Sequence, residues 1–214
     1  MKALIIDLQY FPTVNYYLTL LNIEHIIFEQ YDHHIKMSFR NRCMIAGANG
    51  RIKLSIPLVG GRDQRTISKE VKIDNSVNWQ LQHLRSIVSA YNRSPFFEYF
   101  SEGFSGLFDK EYQYLLDWNL VCLDWLKESI RGKWTYSLTD KYETDFKNAS
   151  IFDFRNRFFP RTIQNENIVD LTYRQVFEEK NGFIPQLSIL DFLFCSGPQA
   201  VISAAGRKTE LDGN

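Results

Sequence analysis

Ala3-Leu4-Ile5-Ile6-Asp7-Leu8, then Val14-Asn15-Tyr16-Tyr17-Leu18-Thr19-Leu20-Leu21, then His25-Ile26-Ile27-Phe28-Glu29: this order of segments decides the fold class. The first run is apolar throughout and reads as a buried strand, and Tyr10-Phe11-Pro12 breaks it. Val14 to Leu21 is amphipathic at helical spacing, and His25 to Glu29 is a second apolar strand. A strand, a helix and a strand in succession imply a parallel pair joined by a right-handed crossover, so the chain begins as an α/β protein.

Outward from that unit, Cys43 to Ile45, the turn Ala46 to Gly50 with its Asn49-Gly50 pair, and Ile52, Leu54 and Ile56 alternating with Lys53 and Ser55 spell a β-hairpin. Val71 and Ile73 around Lys72 suggest a further strand, and together these segments predict a mixed sheet. The second half reads as mainly helical. Trp79 to Tyr91 carries Leu84, Ile87, Val88 and Tyr91 on one stripe, Ser94 stands where it would cap a helix opening at Pro95, and Tyr112 to Ile130 shows two apolar stripes. Trp134, Tyr136 and Leu138 alternate as a strand. Lys141 to Leu171 has no period and reads as a long irregular segment, and Tyr173 to Glu178 as a last strand. Ser188, Asp191 and Gly197-Pro198 then frame a short buried helix in which Ile189, Leu190, Phe192, Leu193 and Phe194 leave little face for water. One domain over 1–205 and a frayed tail over 206–214 are expected.

Lysine plus arginine and aspartate plus glutamate both total 25 in the 214 residues, so no global field favours nucleic acid or an anionic membrane. Aromatic residues make up 15%, which suits a dense core. Three widely spaced cysteines, Cys43, Cys122 and Cys195, look like reduced thiols without a structural disulfide. Asp7 interrupts the first apolar run too soon for a signal peptide or a membrane span, and a cytoplasmic location is expected.

The chain has no Walker loop, Gly-x-Gly-x-x-Gly turn, His-Glu-x-x-His helix or Gly-x-Ser-x-Gly elbow, and so no cofactor can be named from it. His83 falls at the margin of a helical stripe, where it is either a general base opening to a cleft or a half-buried ring bonded to a carbonyl. His33-His34 reads as a solvated loop rather than a metal site, since adjacent histidines point apart on a strand. Lys36, Arg40 and Arg42, with Asn41 between them, could converge on a diphosphate, or simply form a charged hairpin edge. Arg155, Arg157 and Arg161 pose the same choice. Glu29 ends a strand, and strand ends in α/β folds face the binding crevice. One polar pocket holding Glu29, Lys36, Arg40 and His83 is the resulting expectation.

Phe-Ile-Pro-Gln-Leu-Ser-Ile-Leu-Asp-Phe-Leu-Phe-Cys-Ser-Gly-Pro (183–198) resembles the C-terminal signature of the WbqC-like proteins. In the order of that family come Tyr10-Phe11-Pro12, the Lys36 and Arg40-Asn41-Arg42 region, Leu-Ser-Ile-Pro (54–57), Trp79 with His83, and Ala90-Tyr91 before Ser94-Pro95-Phe96-Phe97. Leu8-Gln9 before Tyr10 departs from the Gln-Pro of many relatives. The resemblance implies a role in O-antigen or other surface-polysaccharide biosynthesis, with acyl or aminoacyl transfer to an amino sugar as one activity. His83 and Glu29 would then be catalytic, and Lys36, Arg40, Asn41, Arg42 and Tyr10 would bind a nucleotide sugar or lipid-linked sugar, with no metal. The alternative is a non-catalytic protein that binds a nucleotide sugar or a partner enzyme. A nucleic-acid binder does not fit the balanced charge.

Overall fold

The computed structural model describes residues 3–60, 65–144, 151–160 and 171–205. Strand β1 (Ala3–Asp7) leads through α1 (Val14–Leu21) to β2 (His25–Glu29), and the two strands pair in parallel from Ala3 opposite His25 to Asp7 opposite Glu29. The α/β opening read from the sequence is therefore present. Two more strands join this pair. β5 (Thr135–Leu138) lies beside β2 and β6 (Ile151–Asp153) beside β1, both parallel, giving a sheet of order β5-β2-β1-β6. Burial of Leu4, Ile5 and Ile6 at 0% exposure is what a parallel strand covered on both faces requires.

The antiparallel component is the hairpin of β3 (Arg42–Gly47) and β4 (Gly50–Ser55), which stands as its own two-stranded sheet. Asn41 extends its ladder by one rung, since the Ile56 amide donates to the Asn41 carbonyl and the Asn41 side chain to the Ile56 carbonyl, both at 2.9 Å. Leu54 and Ile56 are buried as the alternation implies, but Ile52 is exposed because the turn end of the hairpin projects beyond the core. Val71 and Ile73 are buried, yet this stretch forms only isolated bridges, Leu58 to Ile73 and Lys72 to Tyr114.

Helix α2 (Trp79–Tyr91) has the bounds that its pattern predicts, with the Asn78 side chain capping the Leu81 amide. Its buried face is Trp79, His83, Ile87, Ala90 and Tyr91, so His83 lies within the stripe rather than at its margin. Helix α3 (Phe97–Gly106) begins later than expected, because the Ser94 hydroxyl donates back to the Tyr91 carbonyl and closes a turn instead of capping. Helix α4 (Leu115–Ser129) buries one full face, Leu115, Trp118, Asn119, Cys122, Leu123 and Leu126, while Val121 and Trp125 of the second stripe are only partly covered.

Two expectations for the C-terminal third are corrected. The aperiodic segment contains β6, too short at Ile151–Asp153 for an alternation to show. Tyr173 to Glu178 is not a strand; it runs as an irregular connection into α5 (Glu178–Asn181). Helix α6 (Ile189–Ala205) continues past Pro198, but Gly197 at φ 81°, ψ 171° kinks it there. A Cβ at Gly197 would stand 2.7 Å from the Phe96 ring, so position 197 needs glycine both for its φ and for its contact. Helices α1 and α6 pack together, and the buried apolar side chains form one contiguous cluster. Residues 206–214 and Arg161 lie outside the described residues.

Candidate functional site

The parallel strands all end on one edge of the sheet, where α/β proteins hold their ligands. Asp7 ends β1, Glu29 ends β2, Asp153 ends β6 and Thr139 follows β5. These groups are drawn together by two arginines. Arg40, 3% exposed, grips Asp32 with both terminal nitrogens and places Nε 3.7 Å from Asp7 Oδ2. It also donates to Ser68 Oγ at 2.6 Å and Asn156 Oδ1 at 2.9 Å. Burial alone would disfavour its charge, but Asp7 and Asp32 outweigh that and raise its pKa. Asn156 adopts φ 58°, a conformation that asparagine tolerates, and its amide donates to Asp7 Oδ1 at 2.8 Å.

Arg155 makes the second clamp. It bonds Asp153 through Nε (3.0 Å) and Nη2 (2.6 Å), and Glu29 Oε2 through Nη1 (3.0 Å). Its pKa is raised, chiefly by the Asp153 hydrogen bonds. The other oxygen of Glu29 accepts from the Tyr31 amide and the Thr139 hydroxyl, both at 2.8 Å. Four strand ends and the loops after them are thereby tied into one charged floor.

Above it lies a small cleft with Glu29, His34, Arg40, Ser68 and Asn119 on its polar side and Leu8, Leu115 and Leu116 on its apolar side. Its free space of about 20 Å³ suits a single water, which Asn119 Oδ1, buried without a hydrogen-bond partner among the described residues, is able to bind. His34 is buried while its neighbour His33 is exposed, because the segment pairs with 65–67: the His34 amide donates to the Thr66 carbonyl at 2.9 Å. Desolvation, reinforced by Arg40, pushes the His34 ring down to about 4, so it is neutral at pH 7.

Of the residues singled out in the sequence, Glu29 and Arg40 share this cleft. Lys36 and Arg42 are half-buried and, among the described residues, make no ion pair. Asn41 bonds the hairpin base. His83 does not line the cleft: its Nδ1 is 3.0 Å from the Tyr10 hydroxyl, and its ring lies against Tyr10 and Trp79, with centroids 5.8 and 5.2 Å away. Tyr10 is 0% exposed. Desolvation pushes His83 down to about 4 against the opposing Ser55 carbonyl, so it too is neutral at pH 7. His34, expected in a solvated loop, is instead buried on the cleft because 65–67 covers it, and Asp7, Asp32 and Asn156 carry no functional role in the sequence reading. A polar residue directly after an apolar strand, as Asp7 is, was the one available signal among them. Cys43, Cys122 and Cys195 are buried free thiols whose pKa values burial raises, Cys195 to about 12, so none is a ready nucleophile.

The fold is of the α/β class, a parallel sheet whose strand-end carboxylates are clamped by arginines. The chain belongs to the WbqC-like protein family, whose model matches residues 9–165. That span contains the whole charged floor except Asp7, whereas the Phe183–Pro198 segment lies beyond it. No curated protein and no solved structure matches the chain. Among the described residues no helix is long and apolar enough to cross a membrane, and no group of three or more His, Cys, Asp or Glu is arranged to hold a metal ion.

Proposed function

We propose that this protein acts in surface-polysaccharide biosynthesis, transferring an acyl or aminoacyl group to an amino sugar carried on a nucleotide or lipid diphosphate. The observation that carries this reading is that Lys36 and Arg42, on either side of Arg40 in the chain, are half-buried and make no ion pair among the described residues, whereas the Arg40 charge is matched by Asp7 and Asp32. An incoming diphosphate needs cations not committed to protein carboxylates, and these two qualify. Arg40, Asn41 and Glu29 then shape the site rather than grip the ligand. The amine nitrogen bonds the acyl carbon of an activated donor, a thioester or acyl phosphate, as the bond from that carbon to the thiolate or phosphate breaks and that group departs, and the amine proton passes to a base. His34 is the imidazole on the cleft, and the arrival of an anion would raise its basicity. His83 and Tyr10, bonded to each other in the packed interior, take no part in this reading.

A thermal-shift and calorimetric panel of nucleotide sugars tests the binding half. A ligand that raises the melting midpoint in the wild-type chain and loses about tenfold or more in affinity in Lys36→Ala and Arg42→Ala supports it. The absence of any nucleotide-sugar response overturns it. With a binding sugar in hand, acyl transfer followed by mass spectrometry tests the chemistry. Loss of turnover with retained binding in His34→Gln supports His34 as base, whereas loss only in His83→Gln returns that role to His83. The saturation of Glu29 and Arg40 by protein partners favours a second reading, a non-catalytic nucleotide-sugar-binding protein, which predicts binding with no turnover in any variant.

A further inference from the structure

A second groove lies away from the strand ends and shares no lining residue with the cleft above. Its walls come from three distant stretches: the hairpin turn Gly47 to Ile52, α2 with Arg85, Ser86 and Ser89 on its outer side and the buried Ala90 at the base, and Phe177 just before α5. Hydrogen bonds tie the hairpin turn to the segment around α5. Arg51 Nη2 donates to the Pro185 carbonyl at 2.7 Å, the Asn181 side chain to the Gly47 carbonyl at 2.9 Å, and Lys180 Nζ to Asn49 Oδ1 at 3.0 Å. The space enclosed is about 640 Å³, within the range that small-molecule sites occupy.

The chemistry of the lining is one-sided. Two guanidinium groups, Arg51 and Arg85, face it with Lys180 at the rim, and no carboxylate is among the lining residues. Arg85 has neither a hydrogen bond nor an ion pair among the described residues. The nearest acids are turned elsewhere, Glu179 towards Arg174 at 3.0 Å and Glu178 towards the Gln175 amide at 3.0 Å. Ser86 commits its proton to the Gln82 carbonyl, so of the two α2 serines on the groove only the Ser89 hydroxyl is left as a donor for an anion. Ile52, Ala90 and Phe177 supply an apolar wall beside the cations, and the partial exposure of Ile52 (37%) leaves that wall open to contact. In a chain with no net charge, this groove is a local cationic site with a greasy side.

We infer that the groove between the hairpin turn and α2 is a separate binding site for an organic phosphate, the phosphate on Arg85 and Arg51 and its organic body against Ile52 and Phe177. The arginine forks match phosphate oxygens, and the Ser89 hydroxyl adds a donor. The site stands independently of the sugar-transfer reading, because neither the cleft nor Lys36 and Arg42 takes part in it.

The test is an NMR titration of the full chain, ¹⁵N-labelled, at low salt with phenyl phosphate, inorganic phosphate and benzyl alcohol as probes. Saturable shifts with phenyl phosphate, centred on 49–52 and 85–89, are expected, with inorganic phosphate weaker by about fivefold or more and benzyl alcohol silent. Arg85→Glu, a surface change whose fold is checked by its unperturbed spectrum elsewhere, should weaken phenyl phosphate by at least about tenfold, and added salt should weaken it further. Shifts centred on Lys36 and Arg42, an Arg85→Glu variant that binds as wild type, or equal affinity for inorganic phosphate would overturn the assignment.

Discussion

The charged cluster at the strand ends and the polar cluster around Asp191 are built on opposite plans. At the strand ends, Asp7, Asp32, Glu29 and Asp153 are held by Arg40 and Arg155, so each negative charge meets a guanidinium at close range. In the first turn of α6, Asp191 is 0% exposed and receives neutral donors, among them the Tyr173 hydroxyl at 2.6 Å and the Gln175 amide at 3.0 Å. Desolvation raises the Asp191 pKa, and the donors from Tyr173, Tyr91 and Gln175 only partly oppose it. A buried acid keeps its charge where cations come with it and tends towards neutrality where they do not. The first cluster is a charged floor that fixes the strand ends; the second is a polar pin that fastens the 173–175 segment to α6.

Removing the cation should break the first plan most severely. Arg40→Ala leaves Asp7 and Asp32 buried without their partner and should cost about 3–5 kcal/mol in urea denaturation, with Arg40→Lys recovering only part of it because an ammonium cannot replace the fork. A loss below about 1 kcal/mol in Arg40→Ala would mean that the floor does not depend on it. This is also why ligand binding is tested at Lys36 and Arg42, where folding is not at stake.

A smaller effect separates the neutral histidines from both clusters. His34 and His83 have folded pKa values near 4, below the ordinary 6.5, so the unfolded chain takes up protons first as pH falls. Stability is fully present above about pH 6.5 and declines towards pH 4, by roughly 3 kcal/mol per ring at the limit. Denaturation midpoints at pH 7, 5.5 and 4.5 should show this slope, and it should flatten in His34→Gln. An unchanged slope in that variant removes His34 from the account.

The smallest change is expected at Asp191. Its raised pKa means that its contribution is greatest below the unfolded value and diminishes as pH rises through the folded one. Asp191→Asn keeps an acceptor for Tyr173 and removes the ionisable proton, so it should shift stability by about 1 kcal/mol or less at pH 5 and stabilise at pH 8 relative to wild type. Destabilisation that grows with pH would show that Asp191 is held as a carboxylate, on the same plan as the strand-end cluster.

Local patterns made much of the fold legible. The apolar runs of β1 and β2, the Asn49-Gly50 hairpin and the stripe of α2 all follow from periodicities within a few residues. Three-residue β6 was not legible, because its place beside β1 comes from pairing across more than a hundred residues rather than from a pattern of its own. The site was read in part. Glu29 and Arg40 do meet on one cleft, but the periodicity puts His83 at a helix margin, whereas Tyr10 from another segment closes over it. His34 was set aside as loop, since nothing local shows that 65–67 will cover it.

By itself, then, the sequence determined the α/β opening, the hairpin, the helix of His83 and the family resemblance that the family model confirms. The tertiary structure decided which charges are committed and which are available: that Arg40 turns inward to Asp7 and Asp32, that Arg155 reaches back to Glu29, and that Arg85 faces a groove without a carboxylate. The physical reason is range. Hydrophobic periodicity is written within one turn or one strand, whereas a charge acquires its role from partners that only the closed chain brings within a few ångströms.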